Sequence, residues 1–201
     1  MNHLYEQLTA LKLTGFRDAL KKQLAQPGTY QELGFEERLS LLTAEELTCR
    51  ENRKAERLIK HARFRLNAEL SKLDYRNNRG LDRALIRSLS QGNWLTLKQN
   101  ILLTGATGSG KTFLACALGH NACRQGYKVY YSDLLEIVDL MYQRGSIIVV
   151  SQLPVENWYK MIGDSTHADA ILDRLVHGSI KIELKGESMR KIQSPLTEGD
   201  Q

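Results

Sequence analysis

The residues best suited to chemistry are Gly105-Ala106-Thr107-Gly108-Ser109-Gly110-Lys111-Thr112. They fit G-x-x-x-x-G-K-[ST], a loop that cradles the phosphates of a nucleotide. A triphosphate concentrates negative charge, and a helix N-terminus offers unpaired N–H groups and a partial positive charge to meet it. Gly105, Gly108 and Gly110 allow the backbone to come close. Lys111 adds a mobile full charge. The Thr112 hydroxyl is the expected ligand for the Mg2+ that accompanies ATP.

Such a loop works only between a strand and a helix, and the flanks supply both. Asn100-Ile101-Leu102-Leu103-Thr104 is an apolar run suited to a buried strand, and Phe113 to Leu118 reads as helix. Further along, Tyr127–Tyr131 and Ser146–Val150 read as strands, and Ser179–Leu184 alternates like a half-exposed one. Helical patterns cover Asp133–Tyr142, Pro154–Met161 and Ala168–Val176. Strands alternating with helices predict an α/β fold with a parallel sheet covered on both faces.

Ahead of this sheet the chain reads as all-helical. Residues 1–26 have a leucine spacing of three and four, interrupted by Gly15, and Pro27-Gly28 reads as a turn. Tyr30–Leu42 is a second helix. Thr43-Ala44-Glu45-Glu46 has the form of a capping box and predicts a long helix over about 44–73. Its Leu58, Ile59, Ala62, Leu66, Leu70 and Leu73 share one side, while Arg50, Arg53, Arg57 and Lys60 recur on the other. That basic face suits a nucleic-acid backbone; a solvated face is the alternative. Arg76, Arg79, Arg83 and Arg87 form a second basic segment, with a short helix expected over Arg83–Leu89. Trp94 either flanks an adenine ring or fills a core.

The 201 residues carry a net charge of +5, unevenly placed. Residues 1–100 hold 18 Lys and Arg against 12 Asp and Glu, so the positive excess precedes the phosphate loop. This asymmetry favours a polyanionic partner for the N-terminal part. Cys49, Cys116 and Cys123 show no metal-ligand spacing, and three unpaired thiols suit a reducing cytoplasm. The sequence has no apolar run of membrane-spanning length and no signal-peptide pattern at its start.

Several stretches together carry a resemblance. They are Leu102–Ala115, Ala122–Gly126, Ser151-Gln152-Leu153-Pro154, Ala168–His177 and Lys185–Arg190. The chain resembles the IstB-like ATP-binding proteins, helper ATPases of bacterial insertion sequences that are similar to the DnaC and DnaA class of AAA+ ATPases. The resemblance runs to about Lys191 and implies a helical N-terminal region (1–75) for DNA or partner binding and a P-loop ATP-binding domain (76–191); the polar composition beyond it predicts a flexible tail (192–201). It implies ATP binding, assembly as a homo-oligomer on duplex DNA, and presentation of the target to a transposase. Ser151 and Gln152 match the strand-end position that senses the γ-phosphate. Arg174 matches the arginine that reaches a neighbouring subunit's nucleotide, although an ion pair with Asp169 or Asp173 on its own helix competes with that role. Arg190 is a candidate contact to DNA or nucleotide.

The family's acidic strand, four apolar residues followed by Asp-Asp or Asp-Glu, has no counterpart between Thr112 and Ser151. An internal deletion after Tyr131 accounts for this. It should force the strand at 127–131 or that at 146–150 inward, or leave a gap in the sheet. If 127–131 shifts inward, Asp133 becomes a candidate Mg2+ ligand in place of the missing acid.

Overall fold

The computed structural model describes residues 2–75, 80–131, 145–158, 172–173 and 175–185. Three parallel strands form its sheet: β1 (Ile101–Gly105), β2 (Ile148–Val150) and β3 (Ile180–Leu184), in the order β2-β1-β3. The strand carrying the loop is therefore central, with Ile101 opposite Ile148 on one edge and Ile180 on the other. Asn100 closes the base of the sheet. Its Oδ1 accepts from the Ile147 amide at 3.0 Å, and its carbonyl accepts from the Ile180 amide at 2.8 Å.

Both faces are covered, as the alternation of a strand requires. On one face Ile101, Leu103, Ile182 and Leu184 pack against helices α5 (Arg83–Ser90), α6 (Asn93–Thr96) and α7 (Lys111–Arg124) through Ile86, Leu89, Trp94, Leu114 and Leu118. On the other, Leu102 and Val149 meet Trp158, Leu172 and Leu175. Each fully buried leucine here contributes about 1.5–3 kcal/mol. Trp94 belongs to the core, not to a base-binding wall: it is buried, and its Nε1–H donates to the Leu89 carbonyl at 3.0 Å.

The strand expected at Tyr127–Tyr131 does not form. These residues are irregular, with Tyr127, Tyr130 and Tyr131 exposed. No described strand lies alongside to accept their backbone hydrogen bonds. Nor is there a gap between strands, because β2 sits directly against β1. Its other edge has no strand partner among the described residues, and Val150 is 39% exposed. Asp133 and the whole of the helix expected at 133–142 lie outside the described residues, as do Arg174, Arg190 and 192–201. Of 154–161, the described residues are Pro154, a 3-10 turn at Val155–Asn157 and the helical Trp158. Of 168–176, the described Leu172, Asp173, Leu175 and Val176 are helical.

The N-terminal region is helical, with boundaries that differ from expectation. The first break falls at Lys12 (φ 58°), between α1 (Asn2–Ala10) and α2 (Thr14–Ala25), so Gly15 lies inside α2. Pro27 opens a one-turn helix α3 (Pro27–Tyr30). The two later helices expected are one, α4 (Phe35–Ala62). It starts where the Gly34 amide donates to Glu37 Oε2 at 2.9 Å, and it ends at Arg63 in the left-handed region (φ 53°). Leu66, Leu70 and Leu73 thus lie beyond it. Thr43 caps nothing: it sits mid-helix, its hydroxyl donating to the Ser40 carbonyl at 2.9 Å.

Glu46 caps a different helix instead. Its buried Oε2 accepts from the Gly15 and Phe16 amides at 2.8 and 3.1 Å, closing the N-terminus of α2. Arg50 binds its other oxygen at 2.7 Å. Gly15 is required at this crossing, since a Cβ there would lie 2.7 Å from Cys49 Cβ. Burial by itself raises the Glu46 carboxyl, but Arg50 and the two amides outweigh it and hold the group below its ordinary 4.5. A depressed folded value means stability that is present above 4.5 and lost as pH falls through the folded value. Glu46→Ala should cost about 2 kcal/mol at neutral pH, measured by chemical unfolding, with a weaker loss of stability on acidification than the parent shows.

Candidate functional site

The loop between β1 and α7 has the backbone that its glycines permit. Gly105 has φ 136°, and a Cβ there would stand 2.1 Å from the Leu184 carbonyl oxygen. No other residue would let the strand end pass so close to β3. Gly110 (φ 94°) is the N-cap of α7, so Lys111 and Thr112 occupy its first turn. The free amides of that turn and the helix dipole make an anion-binding end.

Lys111 is folded onto its own loop. It is buried, and its Nζ donates to the Gly105 and Ala106 carbonyls at 2.8 and 2.7 Å. Burial pulls its pKa below the ordinary 10.5. The ammonium is thus held by two neutral carbonyls, ready to exchange them for charged phosphate oxygens, which bind it more strongly. The Ser109 hydroxyl is fully buried and has no hydrogen-bond partner among the described residues. Such a group costs about 1–3 kcal/mol and is tolerated at functional sites.

A cleft of about 400 Å³ opens beside the loop. It is lined by Thr107, Gly108, Lys111 and Thr112 of the loop and first turn of α7, and by Val150, Ser151 and Gln152 at the end of β2. The structure therefore brings the expected strand-end pair to the phosphate loop, as the β1–β2 pairing dictates. The Ser151 amide donates to the Leu103 carbonyl at 2.9 Å, which fixes that strand end. Ala106 and Thr107 are exposed at the loop's tip.

Besides Val150 at the strand end, two lining residues were not foreseen, Arg65 and Leu66. The sequence reading placed both inside a long helix. Their position follows from the turn at Arg63, which no glycine or proline announces. Among the described residues no carboxylate lines the cleft, and no cluster of metal-binding side chains occurs. Thr112 alone does not make a magnesium centre.

The four basic residues expected on the charged face of α4, Arg50, Arg53, Arg57 and Lys60, are all exposed but unequally committed. Arg50 pairs with Glu46, and Arg53 donates to the Thr14 hydroxyl. Arg57 reaches only the Arg53 carbonyl, at 3.4 Å, and Lys60 has no ion pair among the described residues. Arg83 of the second basic segment lies over the Tyr75 ring at 4.9 Å.

Comparison with known proteins agrees with this geometry. Residues 6–141 and 132–197 match the family described as IstB-like ATP binding protein. An insertion sequence ATP-binding protein of Sinorhizobium fredii is 36% identical, over 94% of this chain and 96% of its own. One from insertion sequence IS1162 of Pseudomonas fluorescens is 45% identical, over 72% of this chain and 64% of its own. One from IS21 of Pseudomonas aeruginosa is 27% identical, over 94% and 89%. Among the described residues, no helix is long and apolar enough to cross a membrane.

The site predicts two results in titrations with ATP. Lys111→Ala should weaken binding at least tenfold while leaving the thermal unfolding midpoint little changed, since its two carbonyl partners are loop atoms. In the parent, affinity should fall as pH rises, beginning below 10.5, because only the charged lysine attracts phosphate.

Proposed function

The chain belongs to the IstB-like ATP-binding proteins, and from that premise we propose that it is the ATP-binding helper of a bacterial insertion sequence. In this reading it works in the cytoplasm as a homo-oligomer, binds duplex DNA, and assists a cognate transposase in choosing a target. The observation that carries the reading is the convergence of Lys111, Thr112, Ser151 and Gln152 on one cleft. A nucleotide there would touch both the loop and a strand end, so its γ-phosphate could be sensed. Magnesium enters only with the nucleotide, Thr112 offering it one hydroxyl. Asp133 as a further ligand and Arg174 as the arginine offered to a neighbouring subunit remain part of the proposal.

DNA is assigned to the exposed basic face of α4, where of the four expected cations Arg57 and Lys60 are the least engaged among the described residues. The relatives bear on turnover. Alignment with the Sinorhizobium fredii protein runs over 235 positions, although this chain has only 201 residues. That excess is what an internal deletion requires. It favours a second reading, in which nucleotide or DNA is held without hydrolysis.

Two measurements test this. Phosphate release should be followed with duplex DNA and magnesium, with Lys111→Ala as control. DNA-stimulated release lost in the variant supports an ATPase helper, whereas retained ATP binding without release supports the second reading. Duplex affinity should fall steeply with salt, and the Arg57→Ala/Lys60→Ala double variant should reduce the slope of log K against log salt by about two. An unchanged slope would remove α4 from the DNA contact.

A further inference from the structure

The segment that follows α4 is fixed against α7 at several points. Arg63 turns the chain through the left-handed region. Phe64 then lies on α7, its ring 4.4 Å from the His120 ring, in a slot that exists because residue 119 is glycine. A Cβ on Gly119 would stand 2.5 Å from Phe64 Cε1. The backbone of Arg65 and Leu66 lies close enough to the Cys116 thiol to favour its thiolate, but burial keeps the group above its ordinary 9.0. Ala68 is fully buried against Cys116 and Ala117. Glu69 completes the attachment with an ion pair to Arg124 at 3.5 Å.

This packing places Arg65 on the wall of the phosphate cleft, with Thr112 in the same lining. Arg65 is exposed, and its guanidinium has no ion pair or hydrogen bond among the described residues. It also lies close enough to Cys116, one turn along α7 from Thr112, to favour the thiolate there. The described lining of the cleft therefore holds two cations, Arg65 and Lys111, and no acid. A metal ion beside Thr112 would meet a positive charge where it needs a carboxylate. A triphosphate there would meet a guanidinium, whose planar fork suits two phosphate oxygens at once.

We propose that Arg65 is a phosphate-binding residue of this chain, contributed to its own cleft by the segment after α4, and that it supplies positive charge which a magnesium ion would otherwise bring to the triphosphate. The proposal rests on the nucleotide-binding reading given above and deepens it. Its consequence is that triphosphate binding survives removal of the metal. The extra charge also favours ATP over ADP, because a triphosphate brings more negative charge for a second cation to meet.

The test is ATP and ADP affinity by calorimetry, in magnesium and in EDTA, for the parent, Arg65→Ala, Arg65→Lys and Lys111→Ala. The parent should keep ATP affinity in EDTA within severalfold of that in magnesium. Arg65→Ala should lose about tenfold for ATP in EDTA, the size of a charge-assisted hydrogen bond. It should lose less in magnesium, and less for ADP. Arg65→Lys should fall between. Because the Arg65 side chain is exposed, the variants should share the parent's unfolding midpoint, which excludes a folding defect. Loss of parental binding in EDTA, or equal ATP affinity of parent and Arg65→Ala there, would overturn the proposal. Absence of ATP binding in both media, with Lys111→Ala indistinguishable, would instead overturn the nucleotide reading beneath it.

Discussion

Strand β1 is hydrogen-bonded along both edges, and the positions of the phosphate loop and of the β2 strand end in the cleft depend on that pairing. Its C-terminal end passes so near the Leu184 carbonyl that only glycine fits at residue 105. From there the chain must leave the sheet and enter α7, which fixes the first-turn amides over the strand ends. The same pairing brings Ser151 and Gln152 to the cleft, since β2 ends where β1 does. Ligand sites at the carboxyl ends of parallel strands are the general outcome of this architecture.

The electrostatics follow from that geometry. A helix N-terminus, a buried lysine held by two neutral carbonyls, and an arginine from outside the sheet all present positive potential to one cleft. Desolvation already lowers the Lys111 pKa, so the charged lysine is under tension until an anion arrives. An arrangement of this kind presents positive potential suited to phosphate. The described residues do not provide the acid that activates water.

The loop was the most legible part of the sequence, because its residue types answer to one local chemistry and its flanks confirm it. The central and outer strands were legible from apolar runs and alternation. Failures came where tertiary partners decide the outcome. Tyr127–Tyr131 has strand-forming residues, but no described strand lies beside it to pair with. Thr43 and Glu46 have capping-box spacing, yet Glu46 serves the N-terminus of α2, thirty residues away in sequence. Arg65 was invisible as a cleft residue because its placement depends on a left-handed turn at Arg63 and on the absence of a side chain at Gly119. Neither can be read from local pattern.

The central claim is that this cleft holds the phosphates of ATP. A crystal structure with a non-hydrolysable ATP analogue tests it most directly. The account predicts phosphate oxygens on the amides of residues 107–112, with Lys111 Nζ released from the Gly105 and Ala106 carbonyls and turned onto them. An analogue bound elsewhere, or a Lys111 still held by those carbonyls with ligand present, would contradict it.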